Sequence, residues 1–174
     1  MKKYSIFLSQ GSNKGDKKKF LDDSFCLIYK KIGKIIEASS YFESEAWNMN
    51  KYTSNFYNRV LKIKTFLSPI FLLKTILDIE FFIGRIRKKN CKYYYNKSRY
   101  QNRTIDIDIL LYDNVIMNSS LLTIPHPMLH LRKFILEPIS EIDPCKNHPV
   151  FNMNMLELLG TCSDRSKIKK IKYD

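Results

Sequence analysis

Residues 103–111 read Arg-Thr-Ile-Asp-Ile-Asp-Ile-Leu-Leu, which sets two carboxylates, Asp106 and Asp108, two positions apart in an otherwise apolar, β-branched run. Side chains alternate faces along a strand, so Ile105, Ile107 and Ile109 share one face and the aspartates the other, with Cα atoms roughly 6.5 to 7 Å apart. Repulsion between two such charges is about 1 kcal/mol in water but several-fold larger in a partly dehydrated cleft, so the pair calls for a cation, a proton or an arginine. Carboxylate oxygens are hard ligands that suit Mg²⁺ rather than zinc. A strand with one solvated face would also read Asp-x-Asp, and the surroundings must decide between the two.

Five of the seven arginines, Arg85, Arg87, Arg99, Arg103 and Arg132, fall between residues 85 and 132, around the aspartates. In a chain with 23 lysines, arginine placed there points to a planar, bidentate binder of oxyanions. His126 follows the aspartate strand, flanked by Pro125 and Pro127. Carboxylates that hold Mg²⁺, with Arg and His around them, form an apparatus for phosphoryl chemistry, in which guanidiniums neutralise the charge that develops on the leaving group. The turn Gly11-Ser-Asn-Lys-Gly-Asp16 is weaker evidence: it lacks the Gly-Lys-Ser/Thr ending of a P-loop and reads as a plain strand-to-helix turn. Taken singly, Glu80 reads as a surface residue, Asn58 as a turn residue, Phe56 and Phe134 as core rings, and His130 and His148 as surface histidines.

The elements that must position these residues follow from periodicity. The pattern predicts a strand over residues 4–10, a helix over 17–32 closed by Gly33, a strand over 34–41 and its hairpin partner over 58–66. Residues 42–57 between the two strands read as irregular. Ser68 and Pro69 open a second helix that runs to residue 82, apolar nearly all round and so expected to be largely buried. Residues 85–103 lack periodicity, and a loop that long in a compact domain usually has a job. After the aspartate strand come a turn at Asp113-Asn114 and a short return strand over 115–117. Mixed helix and turn over 128–142, broken at Pro138, a short helix over 153–159 and a basic tail from Arg165, expected to be solvated, complete the chain. The order strand, helix, strand, strand, helix, strand predicts an α+β, ferredoxin-like fold with a mostly antiparallel sheet flanked by helices in an αβα arrangement.

At 174 residues the chain is expected to be one domain over 1–174. No apolar run approaches the roughly 20 residues of a membrane span, and the apolar start is too short for a secretion signal. Four scattered cysteines read as reduced thiols of a cytoplasmic protein. The net charge of +13 admits nucleic-acid binding, but it rides on an excess of Lys, Ile and Asn that a coding bias toward A and T would produce.

In order from residue 4 to about 142, the chain resembles the 6-hydroxymethyl-7,8-dihydropterin pyrophosphokinases of folate biosynthesis. The resemblance is carried by Gly11-Ser-Asn-x-Gly-Asp16, Ser39-Ser40-Tyr41, Phe56-Tyr-Asn58, Glu80-x3-Gly84-Arg85-x-Arg87, the aspartate strand, and Ile124-Pro-His126-Pro-Met-x-x-x-Arg132-x-Phe134-x-Leu-x-Pro138. It implies transfer of the β,γ-pyrophosphoryl group of ATP to the pterin hydroxymethyl oxygen, leaving AMP. It further implies that Asp106 and Asp108 hold two Mg²⁺ ions and that Arg85 and Arg103 contact the phosphates as catalytic residues. Glu80, Arg87, Thr123, His126 and Arg132 would serve ATP, while Ser44, Phe56, Asn58, Tyr100 and Phe134 would serve the pterin. ATP and the pterin are the expected partners, with no membrane, nucleic acid disfavoured and a monomer expected.

The chain departs from the family at two loops. The usual Arg-Trp-Gly-Pro-Arg-Thr is Arg99-Tyr-Gln-Asn-Arg-Thr104 here, preceded by an extra Asn90-Cys-Lys-Tyr-Tyr-Tyr-Asn-Lys97 segment, and Phe42-Glu-Ser-Glu-Ala-Trp47 lacks the expected Pro and Gly. Loops 42–57 and 85–103 are expected to close over the substrates. The rival readings are a basic RNA-binding module of ferredoxin-like fold, which interleaved Lys and Tyr would suit, and a metal-dependent nuclease or polymerase palm.

Overall fold

The computed structural model describes residues 2–48, 52–85 and 102–172. Alternation in strand β1 (Tyr4–Ser12) sends Ile6 and Leu8 to one core and Phe7 to another, so the sheet it centres must be covered on both faces. Helix α1 (Lys17–Lys31) starts at Asp16, whose carboxylate accepts from the Lys19 amide at 3.0 Å. Gly33, expected to cap that helix, instead opens β2 (Gly33–Ala38), where a Cβ would stand 2.2 Å from the Lys64 carbonyl oxygen. The following strands are β3 (Phe42–Ser44) and β4 (Phe56–Thr65), then helix α2 (Pro69–Phe82) and the aspartate strand β5 (Asp106–Tyr112).

The six-stranded sheet runs β5-β1-β4-β3-β8, where β8 is Ile168–Lys170, and β2 pairs with β4 beside β3. Every one of these pairings is antiparallel. Helices α1 and α2 cover the face bearing Leu8, Leu61 and Ile107; α3 (Lys133–Ile142) and α4 (Met155–Thr161) cover the face bearing Phe7, Val60 and Leu110. The α+β, mostly antiparallel, αβα expectation is met.

Several elements differ from the periodicity reading. Residues 42–44 are a strand held between β4 and β8, and the tail from Arg165 supplies β8 rather than a solvated end. The return strand is β6 (Met117–Asn118), paired with β7 (Thr123–Ile124) instead of β5. Pro138 does not break α3, because Ile135, Leu136, Pro138 and Ile139 are all buried and that packing offsets the lost backbone bond, a cost of about 3 kcal/mol. Helix α2 buries only Leu72, Ile76, Ile79 and Glu80 and leaves its other face in solvent. His148 is buried rather than superficial, its ring against Phe151 with centroids 4.6 Å apart.

Candidate active site

Adjacent strands send the side chains of one sheet face into a single cleft. Because β1 is antiparallel to both neighbours, Gly11 lies opposite Asn58 and Asp106, and Ser9 lies opposite Val60 and Asp108. Ser44 on β3 lies opposite Phe56. These positions share the α3-side face, and with walls from Glu45, Trp47, Arg103, Arg132 and Phe134 they line one open cleft. Gly11 keeps the floor low, since a Cβ there would stand 3.3 Å from Asn58 Oδ1 and 3.8 Å from the Phe56 ring.

One end of the cleft is charged. Arg85 donates to Asp106 Oδ1 and Arg103 to Asp106 Oδ2, so both oxygens of that carboxylate are taken. Burial alone would raise the Asp106 carboxyl, but the Arg103 and Arg85 guanidiniums outweigh it and hold the group below its ordinary value. Strand β5 is a sheet edge, which leaves outward N–H groups without a strand partner. Glu80, 1% exposed, reaches round from α2: its Oε1 accepts from the Ile107 amide at 2.8 Å and from Arg85 at 2.5 Å. Glu80 is therefore a buried bracket for Arg85, against its reading as a surface residue. With Asp106 and Glu80 beside it, the Arg85 guanidinium is held above its ordinary pKa despite burial.

Asp108 is in the opposite state. Burial and the neighbouring Asp106 charge push its carboxyl up to about 7, against the partial relief of Arg132. Among the described residues Arg132 Nη1 and His126 Nε2 stand nearest it, both 3.9 Å away and beyond hydrogen-bond reach, and of these Arg132 carries the charge. His126 Nδ1 accepts from the Met128 amide at 3.1 Å, which leaves Nε2 as the donor facing Asp108. Burial and the Arg132 charge lower the imidazole to about 4, so it is neutral at physiological pH.

The other end is apolar and amide-lined. Asn58, 5% exposed, donates through Nδ2 to the Ser44 hydroxyl at 2.9 Å. Phe56 and Phe134 are half-buried, with Arg103 5.9 Å from the first ring centroid and Arg132 5.7 Å from the second. Both rings were expected in the core on residue type alone; instead they line the cleft. Thr123 on β7 is outside the lining, its hydroxyl donating to Asn118 Oδ1 at 3.1 Å. Arg87, Arg99 and Tyr100, with most of the 85–103 loop, lie outside the described residues.

Two further residues escaped the sequence reading. Asn13 accepts from the Arg103 amide at 2.8 Å through Oδ1 and donates to Asn102 Oδ1 at 2.8 Å, so the glycine turn pins the segment that presents Arg103. Trp47 lies 5.0 Å from the Arg132 guanidinium and walls the cleft. Asn13 was visible as part of the Gly11–Asp16 motif, and Trp47 only as the end of the Phe42–Trp47 segment.

The donor set fits the expected metal. Asp106 and Asp108, two oxygen donors on one face of β5, suit Mg²⁺, an ion that takes one or two carboxylates and fills its shell with waters and phosphate oxygens. Asp108, lacking close charge compensation, is the carboxylate most in need of it.

Comparison with known proteins decides the family. The sequence pattern of 7,8-dihydro-6-hydroxymethylpterin-pyrophosphokinase (HPPK) matches residues 7–144. The chain belongs to this family. The 2-amino-4-hydroxy-6-hydroxymethyldihydropteridine pyrophosphokinase of Aquifex aeolicus is 36% identical over 161 residues, covering 88% of this chain and 89% of its own length. That of Bacillus subtilis is 31% identical over 137 residues, 78% of this chain and 76% of its own. Folic acid synthesis protein fol1 of Schizosaccharomyces pombe is 36% identical over 154 residues, 88% of this chain but 20% of its own length.

Among solved structures, HPPK-DHPS in complex with substrates superposes with a TM-score of 0.71 at 16% identity, over 92% of this chain and 43% of that one. A Plasmodium falciparum HPPK-DHPS triple mutant gives 0.72 at 18%, over 91% and 43%. The chain spans under half of those proteins, and at such identity the likeness speaks for the fold. HPPK membership makes the chain a pyrophosphokinase of folate biosynthesis and disfavours the RNA-binding and nuclease readings. No helix among the described residues is long and apolar enough to cross a membrane.

Proposed function

We propose that the cleft transfers the β,γ-pyrophosphoryl group of ATP to 6-hydroxymethyl-7,8-dihydropterin, with the roles of its residues divided between the charged and the amide-lined ends. The hydroxymethyl oxygen attacks the β-phosphorus, the bond from that phosphorus to the α,β-bridging oxygen breaks, the hydroxyl proton is lost, and AMP leaves. The observation that carries this reading is the joining, in one cleft, of Asp108 and the Arg85–Asp106–Arg103 cluster with Phe56, Asn58 and Phe134.

Arg85 and Arg103, parked on Asp106, are poised to turn their charge onto the triphosphate, where preorganised cations lower the barrier most. Glu80 holds Arg85 at that spot. His126, a neutral donor, and Arg132 contact phosphate or ribose oxygens, with Thr123 and Arg87 completing the nucleotide side as the family likeness suggests. Asn58 and Ser44 meet the donor and acceptor edge of the pterin, while Phe56 and Phe134, with Tyr100, supply faces for its ring. Two Mg²⁺ ions on Asp106 and Asp108 would, when bound, neutralise the triphosphate and polarise the attacking hydroxyl. One domain carries the whole reaction, in the cytoplasm.

Incubation with ATP, Mg²⁺ and 6-hydroxymethyl-7,8-dihydropterin, followed by chromatography, is expected to give AMP and pterin diphosphate in equal amounts. Formation of ADP, or of AMP with no pterin product, would overturn the assignment.

A further inference from the structure

The face of α2 turned away from the sheet leaves Ile70, Phe71, Phe81 and Phe82 in solvent, at 43, 64, 76 and 74% exposure. Scattered exposed apolar residues are ordinary, but three phenylalanines and an isoleucine on one helix face form a patch that calls for a partner. At 3.6 residues per turn Lys74 and Asp78, both exposed, fall on the same arc between the apolar ends. The order along the face is thus apolar pair, lysine, aspartate, apolar pair. About a midpoint near residue 76 the pattern is its own complement: Ile70 and Phe71 mirror Phe82 and Phe81, and Lys74 mirrors Asp78.

We propose that this face binds a second copy of the chain by antiparallel, two-fold packing of α2 on α2. In that register the Ile70–Phe71 pair meets the partner's Phe81–Phe82 pair and Lys74 meets the partner's Asp78, each contact occurring twice by symmetry. Parallel packing would instead set lysine on lysine and aspartate on aspartate. Self-complementarity in both polarity and charge is what an isologous interface requires, and an unrelated partner gives no reason for it. The cleft lies on the α3 side of the sheet, so pairing through α2 leaves both clefts open. This departs from the monomer expected from sequence.

Sedimentation velocity over a concentration series tests the register. The wild-type chain is expected to show a reversible monomer–dimer equilibrium. Lys74→Asp and Asp78→Lys should each weaken it about tenfold or more by facing like charges, and the double swap Lys74→Asp/Asp78→Lys should restore it by reversing both pairs. Phe81→Ser should weaken it without any change of charge. All three positions are exposed, so far-UV circular dichroism is expected to stay that of the wild type. A wild-type chain that sediments as a monomer throughout, single variants that associate like the wild type, or a double swap that stays monomeric would each overturn the proposal.

Discussion

Asp108 carries an electrostatic debt that can be measured. Its carboxyl titrates near 7 in the fold against 3.8 for the free side chain, because it is buried beside Asp106. The raised value means that the ionised form disfavours the folded state: the penalty is full above pH 7, shrinks as pH falls through 7, and is gone near 4. The side chain is about one-third exposed, and allowing for solvent screening the penalty is on the order of 1 kcal/mol. Asp108→Asn should therefore raise the Tm of the metal-free protein at pH 8 and lose that advantage by about pH 4; a lower Tm at pH 8 would contradict the assignment.

His148 works in the other direction. Burial and the nearby His130 lower it to about 4, so its neutral form supports the fold above pH 6.5 and that support is lost between 6.5 and 4. The loss is on the order of 3 kcal/mol at most. Asn in its place can still accept from the Val150 and Phe151 amides, which His148 Nδ1 now does, but cannot titrate. His148→Asn should flatten the acid limb of a denaturation series, and parallel curves would contradict this. The aspartates were legible from two-residue alternation, whereas the burial of His148 depends on a loop contact that no periodicity reports.

At the scale of elements, β8 is the least expected part. Its Lys-rich stretch reads as solvated, and its partner β3 lies more than 100 residues away in sequence, so no local pattern could announce the pairing. Edge strands commonly carry lysine to block further pairing, and this one follows that habit. Ser44 pairs with Ile168, the Glu45 amide donates to the Lys167 carbonyl at 3.1 Å, and the Lys167 amide returns a bond to Glu45 Oε2 at 3.0 Å. The segment that walls the amide-lined end of the cleft is thus held in place by β8. Lys167→Pro, which removes that amide donor, is expected to raise the pterin KM several-fold while the ATP KM moves by less than about twofold. An unchanged pterin KM would remove β8 from the account. Helix α2 misled for a related reason: a helix apolar all round reads as buried, yet its inner face alone meets the sheet.

Across the whole molecule, the net charge of +13 surrounds a site that must take up a polyanion. Long-range attraction of that kind is screened over about 10 Å at 0.1 M salt. The kcat/KM for ATP should then fall several-fold between about 0.02 and 0.3 M salt while kcat holds, and a flat profile would assign the lysines to composition alone. The order β1, α1, β2, β4, α2, β5 was legible because each of those strands and helices repeats its own period, whereas β3 and β8 are too short to show one. The cleft was legible only in part, since it is assembled by register across β3, β4, β1 and β5, and by brackets such as Glu80 and Asn13 that bridge distant segments. The claim on which all of this rests is that Asp106 and Asp108 are the seat of the transfer. Turnover of ATP and hydroxymethyl-dihydropterin by Asp106→Ala and Asp108→Ala, with folding checked by circular dichroism, tests it most directly. Both are expected to lose about a thousandfold or more in Mg²⁺-dependent AMP release with the fold retained. Near-normal turnover in either variant would contradict it.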